Sequence, residues 1–160
     1  MNKGIAGLKT AFIAALSVLL LTGVSMGMGV SPKQPKISIE GAEARLSTMM
    51  LGVGSVFMKI VNSGEGDDNL VGARTNIPNT VVELHDVKDG KMAKIGKIAV
   101  PGNSTVELKP KSLHIMIFEM PKDAKEGFEF SLYLMFEKSG EKQVNVKFVK
   151  GAEQHMHHSH

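Results

Sequence analysis

Two histidines and two methionines in the middle of the chain have the residue types and the spacing of a soft-metal site. His85 and His114 are the only histidines outside the last six residues, and Met92 and Met116 follow them along the chain. Imidazole nitrogen and thioether sulfur suit Cu(I), whereas oxygen-rich sites suit Mg²⁺, Ca²⁺ or Mn²⁺. These four residues are therefore candidates for a metal site with two histidine and two methionine ligands.

The second pair lies in a segment with the alternation of a β-strand. In LHIMIF (113–118), apolar residues alternate with His114, Met116 and Phe118, and successive side chains of a strand point to opposite faces. We expect the apolar residues to face the core and His114 and Met116 to share the solvent-side face. Two residues of strand rise span about 7 Å, a distance over which an imidazole and a thioether can converge on one ion.

The first pair flanks a strong hairpin signal, the dipeptide Asp89-Gly90. A two-residue turn at this dipeptide would set His85 opposite Lys94. His85 and Met92 would then share a face on a cross-strand diagonal of about 7–8 Å, which the two side chains can bridge. This prediction depends on the turn having only two residues.

Alternation by itself leaves two interpretations open. A single methionine on a strand is usually a packing residue, and a single histidine is often one too. If the two strands are neighbours, a Cu(I) site results, with zinc as a competing ion through the histidines alone because thioethers are poor zinc ligands. If they are apart, the chain is a metal-free exported β-sandwich that serves as an interaction module.

The rest of the sequence predicts an all-β domain that positions these residues. Short runs of alternating apolar residues are separated by clusters of Gly, Asn, Asp and Pro, and no helical stripe extends over three turns. The clearest strand is 128–136, where Phe or Leu occupies every second position. We predict a β-sandwich of about nine short antiparallel strands, near residues 37–42, 55–62, 69–75, 81–87, 92–98, 104–108, 114–119, 129–136 and 143–149.

Four segments of the chain differ in composition. Residues 1–30 contain two lysines followed by the apolar run Ala11–Val24, which predicts an export segment, either a cleaved signal peptide or an uncut membrane anchor. Residues 31–36 predict a linker, residues 37–149 one folded domain, and residues 150–160 a disordered tail. We therefore expect the domain outside the cytoplasm, in the periplasm or an equivalent compartment.

Composition excludes several kinds of function. The chain has no cysteine, so a lipid-bearing cysteine, a disulfide and a thiolate metal site cannot form within this sequence. Without Lys3 and Lys9, the 19 basic residues become 17 against 16 acidic ones, and with no Trp and one Tyr the chain offers no nucleic-acid surface. No serine–histidine–acid motif or glycine-rich phosphate loop stands out, so we do not expect an enzyme.

Three segments carry a resemblance to a known family. They are GVGSVFMKIVNSGEGDDNLVGARTNIPNTVVELHDV (52–87), VPGNSTVELKPKSLHIMIFEM (100–120) and KEGFEFSLYLMFEKSGEKQVNVKF (125–148). Together they resemble the periplasmic copper chaperone family PCu(A)C, whose signature is a histidine, a methionine some ten residues on, twenty-one further residues and then H-x-M. Twenty-one residues separate Met92 from His114, and Met116 completes H-x-M, but only six residues separate His85 from Met92.

The resemblance implies a cupredoxin-like Greek-key β-sandwich that binds Cu(I) through His85, Met92, His114 and Met116. It also implies delivery of copper to a partner, either another copper chaperone or the copper-centre subunit of a cytochrome oxidase, with a periplasmic copper buffer as the alternative. We expect a monomer whose only membrane contact is through the N-terminal segment.

The end of the chain holds a second group of metal-binding side chains. They are His155, Met156, His157, His158 and His160. A histidine-rich tract can bind metal by composition alone, so we predict a second copper site here, open to Cu(II) as well as Cu(I), that captures copper and passes it to the sandwich. A solvated tail without metal is the alternative.

Overall fold

The computed structural model describes residues 32–151 and is all-β there, as predicted. Its strands are β1 (Ile37–Leu46), β2 (Gly54–Asn62), β3 (Asp68–Thr75), β4 (Val81–Lys88), β5 (Lys91–Lys94), β6 (Ile98–Val100), β7 (Ser104–Leu108), β8 (His114–Phe118), β9 (Glu129–Phe136) and β10 (Gly140–Phe148). The predicted export segment and the histidine-rich tail lie outside the described residues. No helix within residues 32–151 is long and apolar enough to cross a membrane.

The ten strands join one curled sheet. Its order is β5-β4-β8-β2-β1-β10-β9-β3-β6, and β7 pairs with the second half of β2. These pairings are antiparallel except the one between β1 and β10, where Glu43 lies opposite Lys147 in parallel strands. The sheet therefore has β5, β4, β8 and β2 as successive neighbours at one end, and the first three of these strands contain the candidate ligands that lie within residues 32–151.

The two halves of the curled sheet enclose one apolar core. Ile60 of β2, Ile115 of β8, Leu134 of β9 and Phe148 of β10 are each at most 1% exposed and belong to it. Burying each such side chain stabilises the fold by about 1.5–3 kcal/mol. Because β8 directs Ile115 into this core, its alternate residues must lie on the outer face of the sheet.

The single strand predicted at 92–98 is wrong, because the structure has two strands there. β5 pairs with β4 at one end of the sheet, and β6 pairs with β3 at the opposite end. Ile95, in the crossover between them, still donates its N–H to the Leu84 carbonyl at 2.8 Å and packs against the core. The crossover covers only residues 95–97, which is too short an interruption for the sequence pattern alone to reveal the break.

A buried carboxylate ties the start of β3 to the turn between β9 and β10. Asp68 is 1% exposed and accepts hydrogen bonds from the backbone N–H groups of Asn69, Lys138 and Ser139, at 2.8, 2.9 and 2.9 Å. Burial by itself raises the pKa of Asp68, but hydrogen bonds from Ser139, Lys138 and Asn69 outweigh it and bring the pKa below its usual value. The ionised carboxylate of Asp68 therefore holds the turn between β9 and β10 in place.

Candidate metal centre

The hairpin that carries His85 and Met92 has the predicted two-residue turn. Asp89 and Gly90 have positive φ angles of 51° and 73°, as a type I′ turn requires. β4 pairs with β5 in the predicted register, with His85 opposite Lys94. Met92 consequently lies on the cross-strand diagonal from His85, on the same face of the sheet.

β8 brings the second pair directly beside the first. β4 and β8 are antiparallel neighbours in which His85 lies opposite His114, and the centroids of the two imidazole rings are 5.8 Å apart. Met116 lies two residues further along β8, opposite Glu83. The sequence did not determine whether the two His–Met pairs lie close together. The strand pairings place both pairs on one face of three adjacent strands, β5, β4 and β8.

This face is less exposed than the sequence predicted. His114 and Met116 are only 4% and 3% exposed, whereas Met92 is 55% exposed. The expectation that the second pair points to solvent is wrong because β8 is an inner strand, with β4 on one side and β2 on the other. Met116 is buried but does not belong to the main apolar core cluster, and because its neighbours Ile115 and Ile117 face that cluster, its side chain lies on the outer face of β8.

A backbone carbonyl fixes the ring of His114. Nδ1 lies 2.7 Å from the carbonyl oxygen of Ser112. Because a carbonyl oxygen can only accept, Nδ1 carries the hydrogen and donates a hydrogen bond to that oxygen. Nε2 is then left with its lone pair. Metal-binding histidines usually donate their other ring N–H to a carbonyl or a carboxylate in this way.

A carboxylate fixes the ring of His85. Its Nε2 lies 2.9 Å from Oε2 of Glu83, and Lys94 donates to Oε1 of the same carboxylate at 2.8 Å. Hydrogen bonds, the larger effect from Lys94 and the smaller from His85, hold the pKa of Glu83 below its ordinary value. The ionised carboxylate therefore accepts a hydrogen bond from the Nε2–H of His85. Within residues 32–151, the buried Nδ1 of His85 has no hydrogen-bond partner. A metal ion would supply the partner that this lone pair lacks.

The sulfur of Met116 has a hydrogen-bond partner as well. Ser55 of β2 lies opposite Met116, and its hydroxyl donates to Sδ at 3.2 Å. The sequence-based prediction included neither Ser55 nor Glu83. Strand alternation could have revealed Glu83, which precedes His85 by two residues on the same face, but Ser55 lies 61 positions from Met116 and only the pairing of β2 with β8 joins them.

The donor atoms on this face fit copper. Within residues 32–151, no group of three or more His, Cys, Asp or Glu side chains is arranged to hold a metal ion. A site formed by the two imidazoles and the thioether sulfurs of this face would combine borderline and soft donors, a mixture that suits Cu(I) rather than a hard cation. The tail histidines lie outside the described residues, so the second predicted site stays a prediction.

Two known proteins resemble this chain in sequence. The “Putative lipoprotein Lxx21020” of Leifsonia xyli subsp. xyli is 27% identical over 155 residues, which cover 91% of this chain and 92% of that protein. The “Uncharacterized protein RP573” of Rickettsia prowazekii is 35% identical over 71 residues, and the match covers 41% of this chain but only 39% of the Rickettsia protein.

Solved structures with a similar fold include a PCuAC domain with bound copper. The copper-bound PCuAC domain from PmoF2 superposes with a TM-score of 0.62 at 24% identity, covering 72% of this chain and 94% of that domain. The CuI form of DR1885 from Deinococcus radiodurans gives a TM-score of 0.62 at 17% identity, covering 76% of this chain and 83% of that protein. The predicted all-β fold of the PCu(A)C type is therefore confirmed.

The family profile agrees with this fold in extent. The family described as “Putative lipoprotein LpqE-like” matches residues 37–148, which run from the first residue of β1 to the last residue of β10. The family is named for lipoproteins, but this sequence contains no cysteine to carry a lipid. Because this match spans all the strands of the described residues, the chain belongs to the LpqE-like family, and it has the fold of the PCuAC domains.

Proposed function

We propose that this protein is an exported Cu(I)-binding metallochaperone that delivers copper to a partner protein. The proposal depends chiefly on the pairing of β4 with β8, which sets the rings of His85 and His114 5.8 Å apart. Met116 lies on the same face, buried but outside the apolar core. Copper is the cargo, and the proposed ligands are His85, Met92, His114 and Met116.

The relatives of known structure support copper as the cargo. The PmoF2 domain binds copper, and DR1885 has a CuI form, in the same fold. Thioether and imidazole ligands also suit an exported copper carrier, because they do not form disulfides in an oxidising compartment as cysteines would. We assign the bound ion as Cu(I) because Met92 and Met116 are soft ligands that prefer it.

Delivery of copper requires ligands that can be replaced in turn. Met92 is 55% exposed on β5, which ends the sheet order among the described strands. A ligand from the acceptor can therefore replace Met92 first, while the buried His114 and Met116 still hold the ion. This role is carriage rather than catalysis, and the acceptor is a copper-binding protein such as another chaperone or the copper-centre subunit of a cytochrome oxidase.

The segments outside the sandwich have their own proposed roles. We assign residues 1–30 to export or membrane anchoring, residues 31–36 to a linker and residues 37–149 to a monomeric copper domain in the periplasm or an equivalent compartment. The extent of the family match, residues 37–148, supports this division. The tail would be a second copper site, formed by His155, Met156, His157, His158 and His160.

The central test is a Cu(I) competition titration that separates the two sites. All variants are made in the full chain after the five His and Met residues of the tail are replaced by alanine, a background called here the tail-substituted protein. His114→Ala and Met116→Ala should each weaken Cu(I) binding by ~10-fold or more, at least the loss seen when an outer partner of a metal ligand is removed. Met135→Ala, a methionine change in β9 on the other half of the sheet, should leave the affinity unchanged.

Two results would contradict the proposal. One is an affinity of the His114→Ala and Met116→Ala variants equal to that of the tail-substituted protein. The other is a tail-substituted protein that does not retain Cu(I) against a moderate chelator, which would favour the metal-free interaction module. The tail site is tested separately, since restoring its side chains should raise the copper stoichiometry, and an unchanged stoichiometry would remove that site.

A further inference from the structure

Three of the four proposed copper ligands are held by a hydrogen bond to a neighbour. His114 donates to a backbone carbonyl and His85 to the carboxylate of Glu83, both of which are usual partners for metal-binding histidines. The third case is unusual, because the partner is the hydroxyl of Ser55 and the acceptor is the thioether of Met116. A thioether is a weak acceptor, so a serine that faces it across the strands calls for a reason.

The backbone of two paired strands brings this serine to the sulfur. Ser55 of β2 lies directly opposite Met116 of β8, and the Oγ to Sδ distance is 3.2 Å. Met116 is 3% exposed, but it does not belong to the main apolar core cluster. Ser55 itself is half-buried, so its hydroxyl reaches the buried sulfur from the outer face of the sheet.

We propose that Ser55 is a positioning residue that presents the sulfur of Met116 to the copper ion. Thioether sulfur has two lone pairs, and a hydroxyl that engages one of them fixes the orientation of the other. The hydrogen bond thus selects one conformation of a side chain that has three rotatable bonds. The inference rests on the proposed copper-binding function and adds to it a residue that is not itself a ligand.

The effect of Ser55 is preorganisation. A methionine that must be ordered when the metal binds loses side-chain conformational entropy at that moment, whereas one ordered beforehand does not. Removing a partner that orients a metal ligand typically lowers metal affinity by ~10-fold to ~100-fold. Because a hydroxyl–thioether bond is weak, we expect the lower end of this range, about 10-fold.

The experiment is a Cu(I) competition titration of Ser55→Ala in the tail-substituted protein. Ser55→Ala should bind Cu(I) about 10-fold more weakly, and Ser55→Thr, which keeps the hydroxyl, should recover most of that loss. Ser131→Ala is the matched control, because Ser131 is a half-buried strand serine in β9, on the other half of the sheet. Its affinity for Cu(I) should not change.

A double-mutant cycle distinguishes positioning from a general loss of structure. In the Met116→Ala background, Ser55→Ala should have no further effect on affinity, because the sulfur that it orients is gone. X-ray absorption of the Cu(I)-loaded Ser55→Ala variant should show a weaker or more disordered copper–sulfur shell. Thermal unfolding of the metal-free variants records any loss of folding independently.

The outcomes separate this inference from the proposed function. If Ser55→Ala binds Cu(I) at least as tightly as the tail-substituted protein, while Met116→Ala binds it weakly, the positioning role of Ser55 is overturned and the proposed copper site is retained. The positioning role is also overturned if Ser55→Ala lowers the Cu(I) affinity by the same factor in the presence of Met116 and in the Met116→Ala background. If Met116→Ala itself has no effect, the proposed function fails first.

Discussion

Replacing Glu83 tests whether the carboxylate beside His85 serves the copper site. Its two oxygens accept hydrogen bonds from Nε2 of His85 at 2.9 Å and from Nζ of Lys94 at 2.8 Å. These bonds lower the pKa of Glu83, so the carboxylate is ionised at neutral pH and holds the Nε2–H tautomer of the ring. Glu83→Ala removes this restraint, and the ring can then rotate and exchange tautomers.

The expected loss of Cu(I) affinity from Glu83→Ala is ~10-fold, at the lower end of the range for partners of metal ligands. The lower end applies because the Glu83 side chain is 21% exposed, so water can replace part of its hydrogen bonding. Lys94, released from its ion pair, leaves an unneutralised positive charge near a cationic cargo and adds to the loss. Glu83→Gln keeps an oxygen to accept the Nε2–H, so it should lie between Glu83→Ala and the unsubstituted protein.

The measurement is a Cu(I) competition titration of both variants in the tail-substituted protein, with His85→Ala as the reference for complete loss of the ligand. Histidine ring ¹⁵N spectra of the metal-free variants should show one tautomer of His85 with Glu83 present and a mixture in Glu83→Ala. An affinity of Glu83→Ala equal to that of the tail-substituted protein, combined with weak binding by His85→Ala, would refute the positioning role of the carboxylate.

Three further outcomes follow from the structure. Met92→Ala should weaken Cu(I) binding less than Met116→Ala in the same titration, because Met92 is 55% exposed and Met116 3%, and the reverse order would count against early replacement of Met92. Asp68→Asn should destabilise the fold at pH 7 by ~2 kcal/mol, since an amide cannot accept all three N–H groups. The folded-state pKa of Asp68 is lowered, so its carboxylate contributes stability above the unfolded pKa of about 4 and loses that contribution as the pH falls through the folded pKa. The difference in free energy of unfolding between Asp68→Asn and the unsubstituted protein should therefore be smaller at pH 3 than at pH 7, as measured by chemical denaturation. Gly90→Ala should cost about 1–2 kcal/mol of stability in thermal unfolding, from backbone strain alone, because φ is 73° and a Cβ there meets no atom within 4 Å.

The local part of the proposed copper site could be predicted from the sequence. Asp89-Gly90 specified the turn, and the turn specified that His85 lies opposite Lys94, as the structure confirms. Strand alternation likewise placed His114 and Met116 on one face. Both predictions depend only on residues a few positions apart, for which the backbone geometry of a strand or a turn is sufficient.

The non-local part could not be predicted in the same way. The pairing of β4 with β8 joins residues 29 positions apart at His85 and His114, and alternation has no information about which strands become neighbours. Whether β8 is an edge strand or an inner strand also depends on that pairing. The sequence alone therefore could not predict that His114 and Met116 are buried. The crossover after β5 is unpredictable for the same reason, since it is only three residues long and only the strand pairings show that β5 and β6 lie at opposite ends of the sheet.

Burial and exposure on this one face suit the two requirements of a copper carrier. Retention requires ligands whose orientation is fixed, and His114 and Met116 are covered by strands on both sides and held by Ser112 and Ser55. Release requires a ligand that a partner can reach, and the end strand β5 supplies Met92. Moving Met92 to an inner strand would remove the accessible ligand, and moving Met116 to the edge would loosen the fixed one, so the strand order fits the proposed transfer of copper better than permanent storage.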